Sequence, residues 1–224
     1  MKKIVIYTTN DKVISLKLVD EIISSNYFDD YQIDILLTKA SFLRKIKILI
    51  VMIFFGSIKK FFFQLQEKIS IEEILRKNKN CKLINKVEEN YDFGLSVYCS
   101  SKIRIQNFKI YNFHLGNLFN QRGSFIFFYK FIKNWDKINL TFHEISEKFD
   151  VGHVINEREI KLNKNHSSSD IFFIYLDNLD FLMESIRKIN NGDKKNYKDY
   201  GALNTVPNFY ILFKEIIFYY LIRK

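Results

Sequence analysis

The sequence predicts an α/β fold in which a mostly parallel, twisted sheet carries helices on both faces. Short apolar runs rich in β-branched residues, typical of buried parallel strands, alternate with stretches that repeat apolar residues at helical spacing. This alternation predicts βαβ units in a Rossmann-like, doubly wound sheet. A chain of 224 residues suffices for one sizeable core. We expect residues 1–165 to form an α/β domain and residues 166–224 to be a C-terminal helical extension of that domain.

The strand candidates are short and rich in Ile, Val, Leu and Phe. They lie at residues 3–9, 31–37, 82–87, 93–98, 109–113, 139–145 and 152–161. The last of them alternates apolar Val154, Ile160 and Leu162 with polar neighbours, which predicts another extended segment.

The helix candidates lie between the strands and after the last one. They cover residues 13–23, 42–55, 59–68, 71–77, 124–133, 170–190 and 210–222. Ser70 and Glu73 form a capping box ahead of residues 71–77. The segment 170–190 is predicted to be one long amphipathic helix that ends at Asn191 and Gly192.

The net charge of +10 favours anionic partners such as phosphorylated metabolites. The basic residues are spread thinly along the chain, which indicates mainly solvent-exposed surface positions. No run of them is dense enough for a nucleic-acid-binding arm. Cys81 and Cys99 are too few and too unpatterned for a disulfide framework or a zinc site. We therefore expect a protein of the reducing cytoplasm with no metal and no nucleic-acid partner.

The most lipophilic segment, residues 48–55, is too short to cross a bilayer, which needs about 20 apolar residues. Together with Phe61, Phe62 and Phe63 it suits either an interfacial anchor beside Lys59 or a helix buried against the sheet. The N-terminal apolar run is too short for a signal sequence. We expect no stable membrane insertion.

Several familiar phosphate-binding and catalytic motifs are absent from the sequence. The polar stretch 8–11 stands where a dinucleotide-binding protein would carry G-x-G-x-x-G, which argues against a nicotinamide enzyme. Neither a Walker-type phosphate loop nor a G-x-S-x-G elbow is present.

Asn112, His114 and Asp150 are the residues whose chemistry stands out. Asn112 and His114 are two positions apart on a predicted strand, so both point to one side while Phe113 points to the other. Ligands of open α/β sheets collect at the carboxyl ends of strands. There, a neutral imidazole can take a proton from an attacking amine, and an amide N–H can stabilise an oxyanion. Asp150, in a short turn before Gly152, would raise the basicity of an imidazole within its reach.

Two segments around these residues resemble the folate-dependent formyltransferases. Residues 112–123, NFHLGNLFNQRG, are similar to the family signature N-x-H-P-[SG]-x-L-P-x-[YF]-[RP]-G. Residues 140–155, LTFHEISEKFDVGHVI, are similar to the family stretch that runs from T-x-H to D-x-G-x-I-I. The resemblance is strong over about 92–160 and only general over the N-terminal sheet. It is faint at the C-terminus, where Tyr200 and Pro207 resemble a Tyr–Pro element near the end of some members.

The resemblance implies transfer of a formyl group from N10 of 10-formyltetrahydrofolate, as co-substrate, to a primary amine. It implies that His114 accepts or shuttles the proton, that Asn112 supports the tetrahedral oxyanion and that Asp150 orients His114. It places the folate along residues 97–103 and the loop 149–152. The implied folate-binding residues are Tyr98, Ser101, Ile103, Gly123, Phe149 and Gly152.

The resemblance leaves the amine acceptor open. Formylation of transfer RNA normally requires an added C-terminal domain, and the residues after Ile160 are too few for it. Glycinamide ribonucleotide formyltransferases carry an N-terminal glycine-serine turn that has no counterpart at residues 8–11. The favoured acceptor is therefore a nucleotide-linked amino sugar, such as a dTDP-4-amino-4,6-dideoxyhexose, of surface polysaccharides. The alternatives are the glycinamide ribonucleotide enzyme and an inactive formyltransferase-like binding protein.

The sequence departs from the family signature in the loop after His114. Leu115 and Phe119 replace prolines, and Gln121 replaces an aromatic residue. Their loss fits either compositional drift or a looser loop, since proline stiffens a backbone. Arg122 suits a phosphate contact and a helix cap equally. The last apolar helix suits either a homodimer face or the core.

Overall fold

The computed structural model describes residues 1–10, 14–39, 41–57, 59, 69–88, 90–99, 101–163, 165–189 and 199–223. The expected helix over residues 59–68 lies almost wholly outside these ranges, and so does the expected helix end at Asn191 and Gly192.

A seven-stranded, mostly parallel sheet with helices forms the centre of the molecule, which confirms the predicted α/β class, although the named helices of the described residues pack on one face of the sheet rather than on both. Its strands are β1 (Lys2–Thr9), β2 (Tyr31–Thr38), β3 (Cys81–Ile84), β4 (Phe93–Val97), β5 (Ile110–Leu115), β6 (Lys137–Glu144) and β7 (Val154–Lys161). Their order is β3-β2-β1-β4-β5-β6-β7. Strands β1 to β5 pair in parallel, whereas β6 runs antiparallel to β5 and β7 antiparallel to β6.

Helices occur close to the predicted places within the described ranges, except over residues 170–190. They are α1 (Ser15–Ile23), α2 (Phe42–Phe55), α3 (Ile71–Lys77), α4 (Ile126–Ile132), α5 (Ser168–Phe172), α6 (Leu179–Arg187) and α7 (Phe209–Phe218), which continues into a π-helical turn at Tyr219–Arg223. At the start of α3 the hydroxyl of Ser70 accepts the Glu73 N–H at 3.2 Å, as the capping-box pattern predicts. No helix within the described residues is long and apolar enough to span a bilayer.

The prediction of one long helix over residues 170–190 is wrong. A capping box between Ser167 and Asp170 starts the short α5, and a 3-10 turn at Leu176–Asn178 separates it from α6. The Asn178 side chain donates to the carbonyl of Ile174 at 2.9 Å, which favours a turn over a continued helix. The hydroxyl of Tyr175 accepts the Leu115 N–H at 2.8 Å. This hydrogen bond attaches the segment between α5 and α6 to the end of β5.

The two faces of the sheet are covered differently. Every named α-helix buries residues in the larger apolar cluster, which also holds alternate residues of the strands, such as Ile4, Leu95 and Phe113. The opposite face carries a smaller cluster around Tyr7 and Ile110, which contains strand and loop residues in the described part of the chain. Because strand side chains alternate, Asn112 and His114 share the face of Ile110. They therefore emerge on the face that loops cover.

Candidate active site

Strand β5 places Asn112 and His114 at the carboxyl end of the parallel sheet. Across the antiparallel pairing with β6, His143 lies opposite Asn112 and Thr141 lies opposite His114. The loop between β6 and β7 brings Asp150 to the same point, where its Oδ1 lies 3.7 Å from His114 Nδ1. The three residues with predicted catalytic roles are thus close together in space, although nearly forty residues separate them in sequence.

The surroundings of His114 fix which of its nitrogens carries hydrogen. The ring is buried, and its Nε2 lies 3.2 Å from the main-chain carbonyl oxygen of Gln121. A carbonyl only accepts, so this hydrogen bond requires a hydrogen on Nε2. The neutral ring then keeps its lone pair on Nδ1, which faces the Asp150 carboxylate. A proton on Nδ1 would lie beside that carboxylate.

His143 fixes the orientation of the Asn112 amide. His143 is completely buried, and burial lowers its pKa to about 4, so the ring is neutral at pH 7. Its Nδ1 donates to the Glu144 carbonyl at 3.0 Å, which leaves Nε2 as an acceptor. Nε2 lies 3.2 Å from Asn112 Nδ2, and the amide nitrogen is the donor in this bond.

The Asp150 carboxylate is held by the loop that follows His114. Its Oδ2 accepts the Gly123 N–H at 2.7 Å, and Asp150 has a φ of 46°, in the left-handed region. Non-glycine residues adopt this conformation rarely, and surrounding contacts must maintain it. Arg122 supplies one of them, because its guanidinium donates to the Phe149 carbonyl at 2.8 Å, and it also donates to the Gly201 carbonyl at 2.5 Å. Arg122 therefore connects three loops, a role that neither a phosphate contact nor a helix cap describes.

The loop after His114 lacks the family prolines but has a dense set of hydrogen bonds. Asn117 Oδ1 accepts the N–H groups of Phe119 and Asn120, at 3.1 and 2.8 Å. The hydroxyl of Thr141 donates to the Gly116 carbonyl at 2.8 Å. Gly116 has a φ of 123°, and a Cβ there would collide with the Gln121 carbonyl, so the tight turn requires glycine. These bonds do the stiffening that proline does in the family signature.

Two cavities meet at Asn112 and Asp150. The first, with a volume of about 130 Å³, is lined on its far side by Arg44, Tyr98, Phe125, Phe172 and Tyr175, and it includes His114. The second, of about 80 Å³, lies between residues 101–103 and 145–149 and includes His143. Cys99, Asn112, Phe149 and Asp150 line both cavities.

The predicted folate-binding residues are distributed over both cavities. Ser101 and Ile103 line the second cavity, Tyr98 and Gly123 line the first, and Phe149 lines both. Gly152 lines neither of the two, and its carbonyl accepts the Tyr200 hydroxyl at 3.3 Å.

Solved structures of formyltransferases share this architecture. WlaRD, a sugar 3N-formyltransferase crystallised with dTDP and 5-N-formyl-THF, matches with a TM-score of 0.65 and 20% identity, over 92% of this chain and 70% of its own. An N-formyltransferase of Helicobacter canadensis, in complex with folinic acid and dTDP-3-aminofucose, gives 0.63 and 18%, over 92% and 71%. A 4-N formyltransferase of Francisella tularensis gives 0.58 and 21%, over 92% and 76%. The chain has the formyltransferase fold.

At these identities the likeness establishes the fold rather than the reaction. No family model matches the sequence, and no curated protein is significantly similar to it. Within the formyltransferase fold, residues without a sequence signal also lie at the cavities. Arg44 comes from α2, and Tyr175 comes from the turn between α5 and α6. Their positions depend on tertiary packing, and no local pattern marks them.

Proposed function

We propose that this protein is an N-formyltransferase that moves the formyl group of 10-formyltetrahydrofolate to the primary amine of a nucleotide-linked amino sugar. The observation that supports this most is the setting of His114, whose two ring nitrogens face a carbonyl and a carboxylate where two cavities meet. Two substrates that exchange a small group need such a meeting point.

His114 is the proton acceptor in this proposal. An amine that attacks a formyl carbon must lose a proton, and a neutral imidazole is a suitable base near pH 7. Nδ1 is the free nitrogen of the neutral ring, because Nε2–H donates to Gln121. Once protonated, the ring has an acceptor at each nitrogen, since the Asp150 carboxylate faces Nδ1 at 3.7 Å. Asp150 therefore stabilises the charged form and keeps the ring in place.

Asn112 stabilises the negative charge that develops on the formyl oxygen. One hydrogen of its Nδ2 is used by His143, and this bond fixes which end of the amide carries the donors. The second hydrogen of Nδ2 is the donor for the oxygen, since the side chain lines both cavities. A fixed dipole of this kind needs no reorganisation during the reaction, which is why such donors accelerate acyl transfer.

The second cavity suits the folate. Ser101, Ile103 and Phe149 offer it polar and apolar contacts, and Lys102 and Lys148 stand at the exposed rim, where they suit the carboxylates of a folate tail. When bound, 10-formyltetrahydrofolate supplies the activated formyl group. Tyr98 and Gly123, on the first-cavity side, would contact the end of the co-substrate that carries this group.

The first cavity suits a nucleotide-linked sugar. Its wall includes the aromatic rings of Tyr98, Phe125 and Phe172, which offer surfaces for a base or a sugar. Arg44 lies in the same wall, where its guanidinium suits a diphosphate. WlaRD was crystallised with dTDP, and the Helicobacter canadensis enzyme with dTDP-3-aminofucose. These neighbours support a nucleotide sugar as the acceptor class here.

We also propose that residues 1–165 are the catalytic unit and that residues 166–224 extend it. The extension would complete the site rather than stand apart. Tyr175 binds the end of β5 and lines the first cavity, and Tyr200 and Gly201 accept or donate hydrogen bonds around the Asp150 loop.

The test is product analysis by mass spectrometry. The purified protein is incubated with 10-formyltetrahydrofolate and, separately, with a dTDP-amino sugar, glycinamide ribonucleotide or charged initiator transfer RNA. We expect a formyl adduct on the amino sugar that is lost in His114→Ala. The matched control is His153→Ala, since His153 is exposed on the surface.

The possible outcomes separate the parts of the proposal. An adduct that survives in His114→Ala would contradict the assignment of the base. An adduct on glycinamide ribonucleotide alone would identify a different acceptor. If no acceptor is modified and the folate does not raise the melting temperature at saturating concentration, the inactive binding protein or an unrelated function remains.

A further inference from the structure

Gln121 is a buried amide whose polar atoms are all engaged near His114. Its side chain is about 2% exposed. Oε1 accepts the N–H groups of Asn117 and Asn139, at 3.3 and 3.1 Å. Nε2 donates to the Lys137 carbonyl at 2.9 Å. The side chain therefore fastens the loop after His114 to the beginning of β6.

The main chain of the same residue carries the contact to the imidazole. The Gln121 carbonyl lies 3.2 Å from His114 Nε2. The loop returns on itself here, because Gln121 N–H also donates to the Asn117 carbonyl at 3.2 Å. The carbonyl position thus depends on bonds to a strand, and strands are among the most rigid parts of a fold.

Two acceptors compete for the single hydrogen of the neutral His114 ring. The Gln121 carbonyl faces Nε2 at 3.2 Å, which lies at the limit of ordinary hydrogen-bond geometry, whereas Asp150 faces Nδ1 at 3.7 Å, beyond that limit. If the carbonyl moved away, the hydrogen would favour Nδ1 and the carboxylate. The neutral ring would then present a donor where the proposed reaction needs a lone pair.

We propose that the Gln121 side chain is a positioning element that keeps the hydrogen of neutral His114 on Nε2 and so keeps Nδ1 available as the base. This inference rests on the proposed function. The aromatic residue of the family signature at this position could fill the space, but it could not make the three hydrogen bonds of the Gln121 side-chain amide. In this chain, Gln121 thus fixes a loop that has lost its prolines.

The test reads the histidine tautomer directly by long-range ¹H–¹⁵N correlation in protein labelled with ¹⁵N-histidine. His114→Ala assigns the signal among the four histidines. We expect Nε2–H in the wild type at neutral pH. In Gln121→Met, which keeps the length of the side chain and removes its hydrogen bonds, we expect a large fraction of Nδ1–H. In Gln121→Glu, which keeps the two bonds accepted by Oε1, we expect mostly Nε2–H.

Kinetics provide the second measurement. We expect Gln121→Met to lower kcat by about 10- to 100-fold with little change in KM, as for a displaced catalytic group. Asn117→Ala is the matched control, because it removes two hydrogen bonds within the same loop and one to the Asn139 side chain, and it leaves the Gln121 amide in place.

Several results would overturn the inference. The first is Nδ1–H in the wild type, which needs no variant and no activity. The second is an unchanged tautomer in a folded Gln121→Met, and if that variant does not fold, an unchanged tautomer in Gln121→Leu, which also removes all three side-chain hydrogen bonds, has the same force. If Gln121→Met and Asn117→Ala change the tautomer and kcat equally, Gln121 only supports the loop in general and has no specific effect on His114. A wild type with the expected tautomer and no formyl transfer would instead refute the proposed function and leave the positioning intact.

Discussion

Lowering the pH from 7 to 5 perturbs His143 in a way whose energetic cost can be worked out. Burial lowers the pKa of this ring to about 4, against an ordinary value of 6.5. The nearby Asp150 raises the pKa and His114 lowers it, but desolvation is the largest cause. Between these two pKa values the unfolded chain binds a proton at His143 and the folded protein does not. Stability must therefore fall as the pH falls.

The magnitude follows from the gap between the two pKa values. At about 1.4 kcal/mol for each tenfold change in a proton equilibrium, the whole gap corresponds to about 3 kcal/mol. The contribution is complete above about pH 6.5 and is lost as the pH falls towards about 4. About 2 kcal/mol of it is lost between pH 7 and pH 5. This is a substantial part of the stability of an ordinary domain, which is about 5–15 kcal/mol.

The assay is urea unfolding at pH 7 and pH 5, compared between the wild type and His143→Gln. Glutamine is uncharged at both pH values, and its amide can accept from Asn112 and donate to the Glu144 carbonyl as His143 does. All other titrating groups are common to both proteins, so their contributions cancel in the comparison. We expect the wild type to lose about 2 kcal/mol more than the variant. An equal loss in the two proteins would show that His143 is not held neutral by burial.

Three further predictions concern the loop contacts of the site. Gly123→Ala should lower the free energy of unfolding by about 1–3 kcal/mol, because Gly123 has a φ of 101° and a Cβ would collide with the Asn204 carbonyl; unchanged urea unfolding would contradict this. Asp150→Asn should lower kcat by about 10²- to 10⁴-fold with folate affinity nearly unchanged, since an amide cannot stabilise the imidazolium; a loss of folate binding, measured by calorimetry, would assign the carboxylate a binding role instead. Arg122→Lys should raise KM for both substrates more than it lowers kcat, since a single ammonium cannot hold two carbonyls in the same geometry; unchanged steady-state kinetics would refute the bridging role.

The sequence predicts the sheet well because its strands are local patterns. The predicted strands are short apolar runs, most of them rich in β-branched residues, and the seven runs became β1 to β7, of which β6 and β7 pair antiparallel. Asn112 and His114 could be placed on one face from their spacing alone. The helical periodicity gave a wrong prediction over residues 170–190. The aromatic side chains there pack on several neighbours, and the Asn178 side chain donates to the Ile174 carbonyl. An amphipathic pattern cannot distinguish one helix from two that share a buried face.

The electrostatic detail of the site was beyond sequence reasoning. The tautomer of His114 depends on a main-chain carbonyl seven positions away, and carbonyl positions leave no trace in side-chain patterns. The neutral state of His143 depends on its burial, and the position of a histidine in a strand does not predict how deeply it is buried. The role of Arg122 depends on carbonyls 27 and 79 residues away.

The loop after His114 lacks the prolines of the signature that it resembles, and hydrogen bonds of Asn117 and Gln121 hold it instead. A proline stiffens a backbone by restricting φ, whatever surrounds it. Asn117 and Gln121 stiffen it through hydrogen bonds to the loop and to β6, which exist only when the sheet has formed. Rigidity that depends on tertiary contacts is lost when those contacts weaken. We therefore expect the proposed formyl transfer to be more sensitive to destabilisation of β6 than it would be with prolines in this loop.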